Sequence, residues 1–440
     1  MAERGAGWRI AFVSTRIYGT DGVSLEIGKW ATVLERMGVE CFYITGQSDR
    51  PAERTALIEE AHFNHPEILE ITRQAFHTEI RTEQLTNQIK RLTRIIRDQL
   101  NQAIRKFDLD AIITENALTI PMNIPLGIAI VESLQEMPIG CLAHHHDFYW
   151  ERDRFLVSSV KDLLRYAFPP ALPQIQSVVI NSPQEEEFSR RTGLSCRIIP
   201  NVMDFANPPA PPDEYAQQFR SAIGLHEGDL MILQPTRVVA RKGIEHAIEL
   251  VRRLELPHAK LIISHDSGDE GGGYLERIME YAEIMGVEVV MAGSLVAEKR
   301  ELDSEGKPRF TLSDLLAQAD LVTYPSEYEG FGNAFLEAIY HRRPVVCNRY
   351  QIYRTDIEPC GFRTITFDGF LNHETIKQTQ RVLHDAAFRE EMVNHNYQIA
   401  RDNFSYEVLE AELRLIIERP QNIYRLLGRG MHYGKAEHRG

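Results

Sequence analysis

The 440-residue sequence has few cysteines, and no pattern gives them a special use. The five are odd in number, lie far apart and show neither CxxC nor Cys/His ligand spacing, so they predict reduced core residues and no metal site. Long apolar runs are also missing. None approaches the ~20 residues that a membrane helix needs, and the opening residues lack the apolar region of a signal peptide. These absences predict a cytoplasmic protein.

Positive charge and nucleotide-binding fingerprints are scarce as well. The chain carries 49 basic against 63 acidic side chains, a formal charge of −14 that disfavours nucleic acid and anionic membranes as partners. Neither the dinucleotide pattern GxGxxG nor the phosphate-loop pattern GxxxxGK[ST] occurs. With 43% hydrophobic and 25% charged residues, the composition is otherwise that of an ordinary globular protein.

The chain does contain two series of short apolar runs that alternate with helical patterns. The first series spans residues 10–199 and the second spans 230–347, with a Pro-rich stretch at 207–212 between them. Such alternation is typical of parallel sheets covered by helices. We therefore expect an α/β fold with two doubly wound parallel sheets, whose strand ends line a central cleft that holds the site.

These patterns also predict the domain organisation. A charged stretch with an apolar stripe at helical spacing predicts a helical insertion in the first domain, and the last residues have no apolar period. The predicted segments are a first domain at 1–207 with its insertion at about 66–106, a second domain at 213–403, C-terminal helices at 404–427 that return to the first domain, and a loose tail at 428–440.

The most informative stretch is residues 324–339, where a strand runs through a Gly-containing loop into a helix. Gly330 and Gly332 let the main chain approach a ligand closely, and free amides at a helix start favour an anion such as phosphate. Glu329 and Glu337 could accept hydrogen bonds from the hydroxyls of a sugar and a ribose. The alternative is two solvated glutamates that flank a turn.

A second motif, Arg237 and Lys242, brackets a short loop after the first strand of the second series. Two cations that converge on one diphosphate could each contribute a few kcal/mol at an effective dielectric of ~20. Taken alone, such a pair is more often two solvated surface cations. Its position after a strand favours the ligand interpretation, so loss of either cation is expected to depress activity and leave the fold intact.

A third motif is the histidine run at the end of an apolar strand, residues 143–150. Alternation along a strand sends His144 and His146 to one side and His145 to the other. A zinc site would need third and fourth ligands that the sequence does not reveal. Two interpretations stay open beside it: histidines hydrogen-bonded at a strand end, and a cleft-facing His near a reacting sugar.

Together these motifs resemble the retaining nucleotide-sugar glycosyltransferases of family 4, which have the GT-B fold of two Rossmann-like domains. Residues 329–337 resemble the E-x7-E element of the family, and Arg237 with Lys242 resembles its diphosphate-binding pair. Residues 199–204 resemble its "IPNGVD" passage, with Val202 where Gly is usual.

The resemblance assigns expected roles to single residues. It implies that Glu337 binds the ribose, that Glu329 and the loop amides bind the donor sugar, and that His146 lies near that sugar's hydroxyls. The resulting candidates are Arg237, Lys242, His146 and Glu329 for catalysis; Gly330, Phe331, Gly332, Asn333 and Glu337 for the donor; and Thr20, Asp21, Gly22, His144 and Asp147 for the acceptor side.

The expected activity is the transfer of a hexose, with retention, from a GDP-mannose- or UDP-glucose-type donor to a hydroxyl of a small soluble acceptor, without metal or other cofactor. Residues 14–26 and 144–152 resemble those of mannosylglucosylglycerate synthase-type enzymes, which makes a glucosylglycerate-like compatible-solute precursor one candidate acceptor. A GT-B-type epimerase or phosphorylase and a non-catalytic sugar- or nucleotide-binding module are the alternatives. The sequence leaves the oligomeric state, including a homo-oligomer, open.

Overall fold

The computed structural model describes residues 7–19, 21–266 and 272–417. The chain divides into two compact units, one built from residues 7–200 together with 407–417 and the other within 201–406. Thr20, the end of the predicted C-terminal helices at 418–427 and the predicted tail at 428–440 lie outside the described residues. No described helix combines the length and the apolar character that a membrane span requires.

The first unit is built on a seven-stranded, fully parallel sheet in the order β3-β2-β1-β4-β5-β6-β7. Its central strands are almost continuously apolar because helices cover the sheet. The strands are β1 (Arg9–Ser14), β2 (Glu40–Thr45), β3 (Thr55–Leu57), β4 (Ala111–Glu115), β5 (Gly140–His145), β6 (Ile175–Val179) and β7 (Cys196–Ile198). The helices are α1 (Gly22–Arg36), α2 (Pro66–Ala75), α3 (Glu83–Phe107), α4 (Ile124–Glu136), α5 (Lys161–Ala167) and α6 (Ser182–Thr192).

Helices α2 and α3 occupy the stretch where the sequence predicts a helical insertion. Helix α3 begins after Thr82, whose hydroxyl oxygen accepts a hydrogen bond from the Leu85 amide at 3.1 Å. Its apolar stripe is buried in the core of the first unit and consists of Leu85, Ile89, Leu92, Ile96 and Leu100. The pair is therefore part of the scaffold that supports the sheet.

The second unit is built on a six-stranded parallel sheet in the order β10-β9-β8-β13-β14-β15, beside a two-stranded hairpin of β11 and β12. Its strands are β8 (Leu230–Gln234), β9 (Ala259–Ile263), β10 (Val289–Met291), β11 (Glu301–Leu302), β12 (Pro308–Arg309), β13 (Leu321–Tyr324), β14 (Val345–Asn348) and β15 (Ile365–Phe367). Its helices are α7 (Glu214–Ala222), α8 (Ile244–Leu254), α9 (Gly272–Met285), α10 (Leu312–Gln318), α11 (Asn333–Tyr340), α12 (His373–His384) and α13 (Ala386–Phe404).

The last described helix, α14 (Tyr406–Ile417), groups with the first unit. Its Leu413 and Ile416 line one apolar cavity with Ile10 of β1 and Trp8, which precedes that strand. The division between the units falls at residue 200, seven residues before the predicted boundary. The intervening segment is tied to the second unit, because the Tyr397 hydroxyl donates to the carbonyl of Phe205 at 2.8 Å.

None of the five cysteines forms a disulfide. Cys41, Cys141 and Cys347 are buried, and burial raises the pKa of Cys41 and of Cys141 to about 12. These thiols therefore stay protonated and pack as small apolar side chains. The predicted place of the cysteines in the core is confirmed for these three, whereas Cys196 and Cys360 are half-buried.

Candidate active site

In the second unit, two of the predicted motifs meet at the carboxyl ends of neighbouring strands. Strands β8 and β13 pair directly, and the loops that follow them carry Lys242 and Glu329. The ammonium of Lys242 forms an ion pair and hydrogen bond with Glu329 Oε1, and each residue is only 8% exposed. The loops thus bury an opposite-charge pair at the edge of the sheet where parallel folds bind ligands.

Two glycines allow the two loops to come this close. Gly243 immediately precedes α8 with φ +59°, and a Cβ there would lie 2.5 Å from the carbonyl oxygen of Pro325. Gly332 precedes α11 with φ +128°, and a Cβ there would overlap the hydroxyl of Tyr350, which donates to the carbonyl of Phe331 at 2.8 Å. Glycine is required at both positions for conformation and for space.

A third cation, which the sequence analysis did not select, joins this cluster. Arg241 Nη1 lies 3.3 Å from Glu329 Oε2 and donates to the carbonyl of Tyr328 at 3.2 Å. Arg237 is exposed; burial above all, and then the charges of Arg241 and Arg237, lower the pKa of Lys242. Two cations, Lys242 and Arg241, therefore contact the Glu329 carboxylate, and no contact joins Arg237 to it among the described residues. The only sequence signal for Arg241 was its place beside Lys242 in a loop that follows a strand.

The protonation of the pair follows from its surroundings. Burial alone would raise the pKa of Glu329, but the charges of Lys242 and Arg241 outweigh it and hold that pKa below its usual value. Glu329 is therefore ionised, and the cluster keeps an excess of positive charge. Lys242 is buried against Glu329, and removing one partner of a buried pair leaves an uncompensated charge. We therefore expect loss of Lys242 to lower stability as well as activity, unlike the sequence-based prediction of an intact fold.

The loop at residues 330–332, which leads into α11, can offer a ligand its backbone groups. Phe331 is 3% exposed and packs edge-to-face on Phe404 at 5.4 Å between centroids, so its side chain belongs to the core. Asn333 begins α11 and accepts a hydrogen bond from Asn201 Nδ2 at 2.7 Å. Glu337 lies half-buried within the same helix. Of the predicted donor residues, Phe331 can therefore offer only its main chain.

The sequence analysis also missed His265, which follows β9. Its Nδ1 lies 2.6 Å from the hydroxyl of Ser264. Burial, and then the charge of Arg237, lowers its pKa, so the imidazole is neutral near pH 7. A polar residue directly after an apolar strand was the available signal. Residues 267–271, which follow, lie outside the described residues.

The first unit brings together a second cluster at the ends of β4 and β5. Glu115 pairs in register with His144, and its Oε2 lies 3.0 Å from both His144 Nδ1 and His146 Nε2. His145 faces the other way and meets the hydroxyl of Ser177 at 3.2 Å, as the alternation predicts. The sequence analysis did not select Glu115, although it directly follows the apolar run of β4.

The surroundings favour the protonated, charged form of His146 and the neutral form of His145. Burial alone would lower the pKa of His146, but the hydrogen bond and charge of Glu115 outweigh it and raise that pKa. Burial and the neighbouring histidines lower the pKa of His145 to about 3. Glu115, His144 and His146 also bring one nitrogen or oxygen each within 4.8 Å of one another, so the third donor that the zinc alternative lacked is Glu115.

The remaining predicted acceptor-side residues are engaged in local structure. Asp21 caps α1 and accepts hydrogen bonds from the amides of Val23 and Ser24 at 3.1 and 3.2 Å. Gly22 is the exposed first residue of that helix. Asp147 forms an ion pair with Arg152. These contacts account for both carboxylates without a ligand.

Comparison with known proteins places this architecture in a family. Residues 216–399 match the family model "Glycosyl transferases group 1". The chain is 32% identical to the mannosylglucosylglycerate synthase of Petrotoga mobilis over 97% of each chain. It is 29% identical to the protein of that name from Thermotoga maritima, over 91% of this chain and 98% of that one.

Solved structures agree on the fold. Sucrose-phosphate synthase from Thermosynechococcus elongatus aligns over 93% of this chain and 98% of its own, with a TM-score of 0.62 at 17% identity. The prediction of the GT-B type, with two Rossmann-like parallel sheets, is confirmed. Taken with the near-complete alignment to the Petrotoga protein, these findings show that the chain belongs to the group 1 glycosyltransferases.

Proposed function

We propose that this glycosyltransferase moves a hexose from a nucleoside diphosphate sugar to a hydroxyl of a small soluble acceptor, with retention at the anomeric carbon. The observation that carries the proposal is the cluster of Lys242, Arg241 and Glu329 beside the glycine loop that opens α11. It offers an excess of positive charge and a close-approach backbone at the carboxyl end of a parallel sheet. A doubly anionic diphosphate needs both.

The cations and the start of α11 stabilise the charge that develops on the departing diphosphate. At an effective dielectric of ~20, one cation at about 4 Å contributes a few kcal/mol to that stabilisation. In this proposal Arg237 and Lys242 hold the diphosphate, and Arg241 adds to them. Glu329 and the amides of Gly330 to Asn333 bind the donor sugar, and Glu337 binds the ribose.

The retaining course of the reaction follows from the family resemblance. The acceptor hydroxyl attacks the anomeric carbon from the face that the diphosphate leaves, the bond to the diphosphate oxygen breaks, and the hydroxyl proton passes to the diphosphate. His146 contacts the hydroxyls of the donor sugar. The permanent cations supply the positive charge in this scheme, so we propose that neither a divalent metal nor another cofactor is required.

The acceptor proposal rests on the named relatives. Two proteins that align with nearly the whole chain are called mannosylglucosylglycerate synthases, so we propose a glucosylglycerate-like acceptor and a GDP-mannose- or UDP-glucose-type donor. Such an acceptor is a small anion. The five unbonded cysteines favour a reducing compartment, and we propose that transfer takes place in the cytoplasm.

The test is the release of nucleoside diphosphate from a panel of UDP-, GDP- and ADP-sugars, with and without glucosylglycerate. We expect release that depends on the acceptor, persists in EDTA and gives a product whose one-bond C1–H1 coupling shows the same anomeric configuration as the donor. Nucleotide binding without release would favour a non-catalytic module, and an inverted product would contradict retention.

A further inference from the structure

Glu115 is a buried carboxylate whose contacts all serve two histidines. Its side chain has no exposed surface, and Oε2 lies 3.0 Å from His146 Nε2 and from His144 Nδ1. Among the described residues, Oε1 has no hydrogen-bond partner. Burying a carboxylate costs several kcal/mol unless close partners compensate it. The two neighbouring imidazole rings are therefore what compensates the buried charge of Glu115.

The next residue holds the backbone of the same strand end. Asn116 has φ +57°, a left-handed conformation that Asn tolerates better than most side chains. In that conformation its Oδ1 accepts hydrogen bonds from the amides of His146 at 2.8 Å and Asp147 at 3.4 Å. Its own amide donates to the carbonyl of His144 at 3.1 Å. The bend after β4 thus fixes the main chain at the end of β5.

Two further contacts complete this arrangement. Gln184 Nε2 donates to the carbonyl of His146 at 2.8 Å. Trp30 stacks on the ring of His144, with 4.3 Å between the centroids, and so holds the neighbour that shares the Glu115 oxygen. The amide, the carbonyl and Nε2 of His146 are all engaged. Since a carboxylate accepts only from an N–H, Nε2 carries the proton, and Nδ1 is the ring nitrogen left for a ligand.

We propose that Glu115 and Asn116 are positioning residues that fix the ring orientation and the protonated nitrogen of His146. This inference rests on the proposed function, in which His146 contacts the donor sugar. In this proposal neither residue touches the substrate, and both act on turnover through the ring and backbone of His146. The arrangement is the one by which a carboxylate orients a catalytic imidazole in other enzymes.

Two substitutions test the roles of Glu115 and Asn116 separately. Glu115→Gln keeps the shape of the side chain and removes its charge. Asn116→Gly accepts the same φ and removes the Oδ1 acceptor. We expect each to lower kcat by about ten- to hundredfold, the usual cost of losing an orienting partner, while the donor KM changes by less than about twofold. Asp108→Gly, at another non-glycine residue with positive φ, and Glu53→Gln, at an exposed carboxylate, are the matched controls and should behave as wild type.

A double-mutant cycle separates positioning from a structural role. In a His146→Ala background, Glu115→Gln should cost no further activity, because its effect passes through the missing ring. A second loss of equal size in that background would overturn the proposal. Urea unfolding shows whether each variant folds. If Glu115→Gln does not fold, Asn116→Gly carries the same cycle.

A readout independent of turnover examines the ring itself. In protein labelled with ¹⁵N-histidine, with the His146→Ala spectrum as the assignment, we expect the His146 signals to report a proton on Nε2 in wild type and to change in Glu115→Gln. Identical ring signals in both proteins would overturn the proposal. So would a stoichiometric metal in purified wild type that Glu115→Gln lacks, because the histidines would then be ligands. Failure of the proposed function is seen in wild type alone, as the absence of acceptor-dependent release.

Discussion

Both units bury a carboxylate against basic side chains at the carboxyl ends of neighbouring parallel strands, but the types of basic side chain differ. In the second unit, Glu329 meets Lys242 and Arg241, which carry permanent charge and sit on loops. In the first unit, Glu115 meets His144 and His146, which titrate and sit on a strand. Permanent charge suits an anionic diphosphate, and an oriented imidazole suits hydrogen bonds to neutral hydroxyls.

The contrast also lies in how each cluster is held. The loops of the second unit depend on Gly243 and Gly332, where any side chain would collide. The strand end of the first unit depends on side-chain acceptors, above all Glu115 and Asn116. Backbone close approach leaves amides available to a ligand, whereas side-chain acceptors fix one ring in place. Substitutions in each cluster separate the effects of these two arrangements.

The largest effect is expected at Lys242. We expect Lys242→Ala to lower turnover by about a hundredfold or more, because a cation that faces the developing charge is lost. It should also lower the free energy of unfolding by about 3 kcal/mol, because Glu329 is left buried and uncompensated. Diphosphate release and urea unfolding measure the two losses.

The exposed cation is the control for this prediction. Arg237→Ala should lose turnover with its stability unchanged within about 0.5 kcal/mol, as for other surface substitutions. The double variant Lys242→Met/Glu329→Gln should regain stability without regaining turnover. Equal stability of Lys242→Ala and wild type would contradict the buried pair.

A smaller effect is expected at the glycine loop. Gly332→Ala places a Cβ against the Tyr350 hydroxyl at φ +128°, so we expect a loss of about 1–3 kcal/mol in unfolding free energy and weaker donor binding. Adding Tyr350→Phe removes the hydroxyl but leaves the backbone strain. Thermal unfolding should therefore show partial recovery in the double variant. Full recovery would mean that the collision alone requires glycine.

The decrease in the free energy of unfolding at acidic pH provides a test within the second unit. His341 follows α11, and burial, then the charge of Arg343, lowers its pKa to about 4. The folded state therefore favours neutral His341. Its contribution is complete above the unfolded pKa and is lost as the pH falls from about 6.5 towards 4, by up to about 1.4 kcal/mol per pH unit. We expect His341→Gln to reduce the pH dependence of the free energy of unfolding, measured with urea, over this range. An unchanged slope of that free energy against pH would contradict the prediction.

The smallest effect is expected at Asp21. Because its carboxylate caps α1, Asp21→Ala should cost about 1 kcal/mol of unfolding free energy, and Asp21→Ser should restore most of it. The acceptor KM should not change in either variant. A raised acceptor KM in Asp21→Ser, with stability kept, would instead support the acceptor-side role that the family resemblance implies.

The apolar runs of the sequence predicted most strands of both sheets, because strands covered on both faces are continuously apolar. The short strands β3 and β15 were missed for a related reason. Each has only three residues. No residue of β3 is buried, and in β15 the half-buried Thr366 separates the buried Ile365 and Phe367, so neither strand presents a continuous apolar run. The hairpin of β11 and β12 is shorter still.

Candidate residues were predicted from the sequence where they lie together in one continuous motif. They were missed where the site is formed by residues from two separate strands or loops. Residues 324–339 carry the glycines and glutamates in one stretch. The partnership of Glu115 with His146 joins positions 31 residues apart through the register of β4 and β5, which the sequence does not state. Arg241 was missed similarly, since its role appears only when the loop after β13 reaches it.

The most direct measurement is the affinity of the protein for nucleoside diphosphates against the matching monophosphates, by titration calorimetry on wild type and Arg237→Ala. The account predicts that wild type binds UDP or GDP at least about tenfold more tightly than UMP or GMP, a difference of about 1.4 kcal/mol, and that Arg237→Ala narrows this ratio. Equal affinity for diphosphate and monophosphate in wild type, or an unchanged ratio in Arg237→Ala, would contradict it.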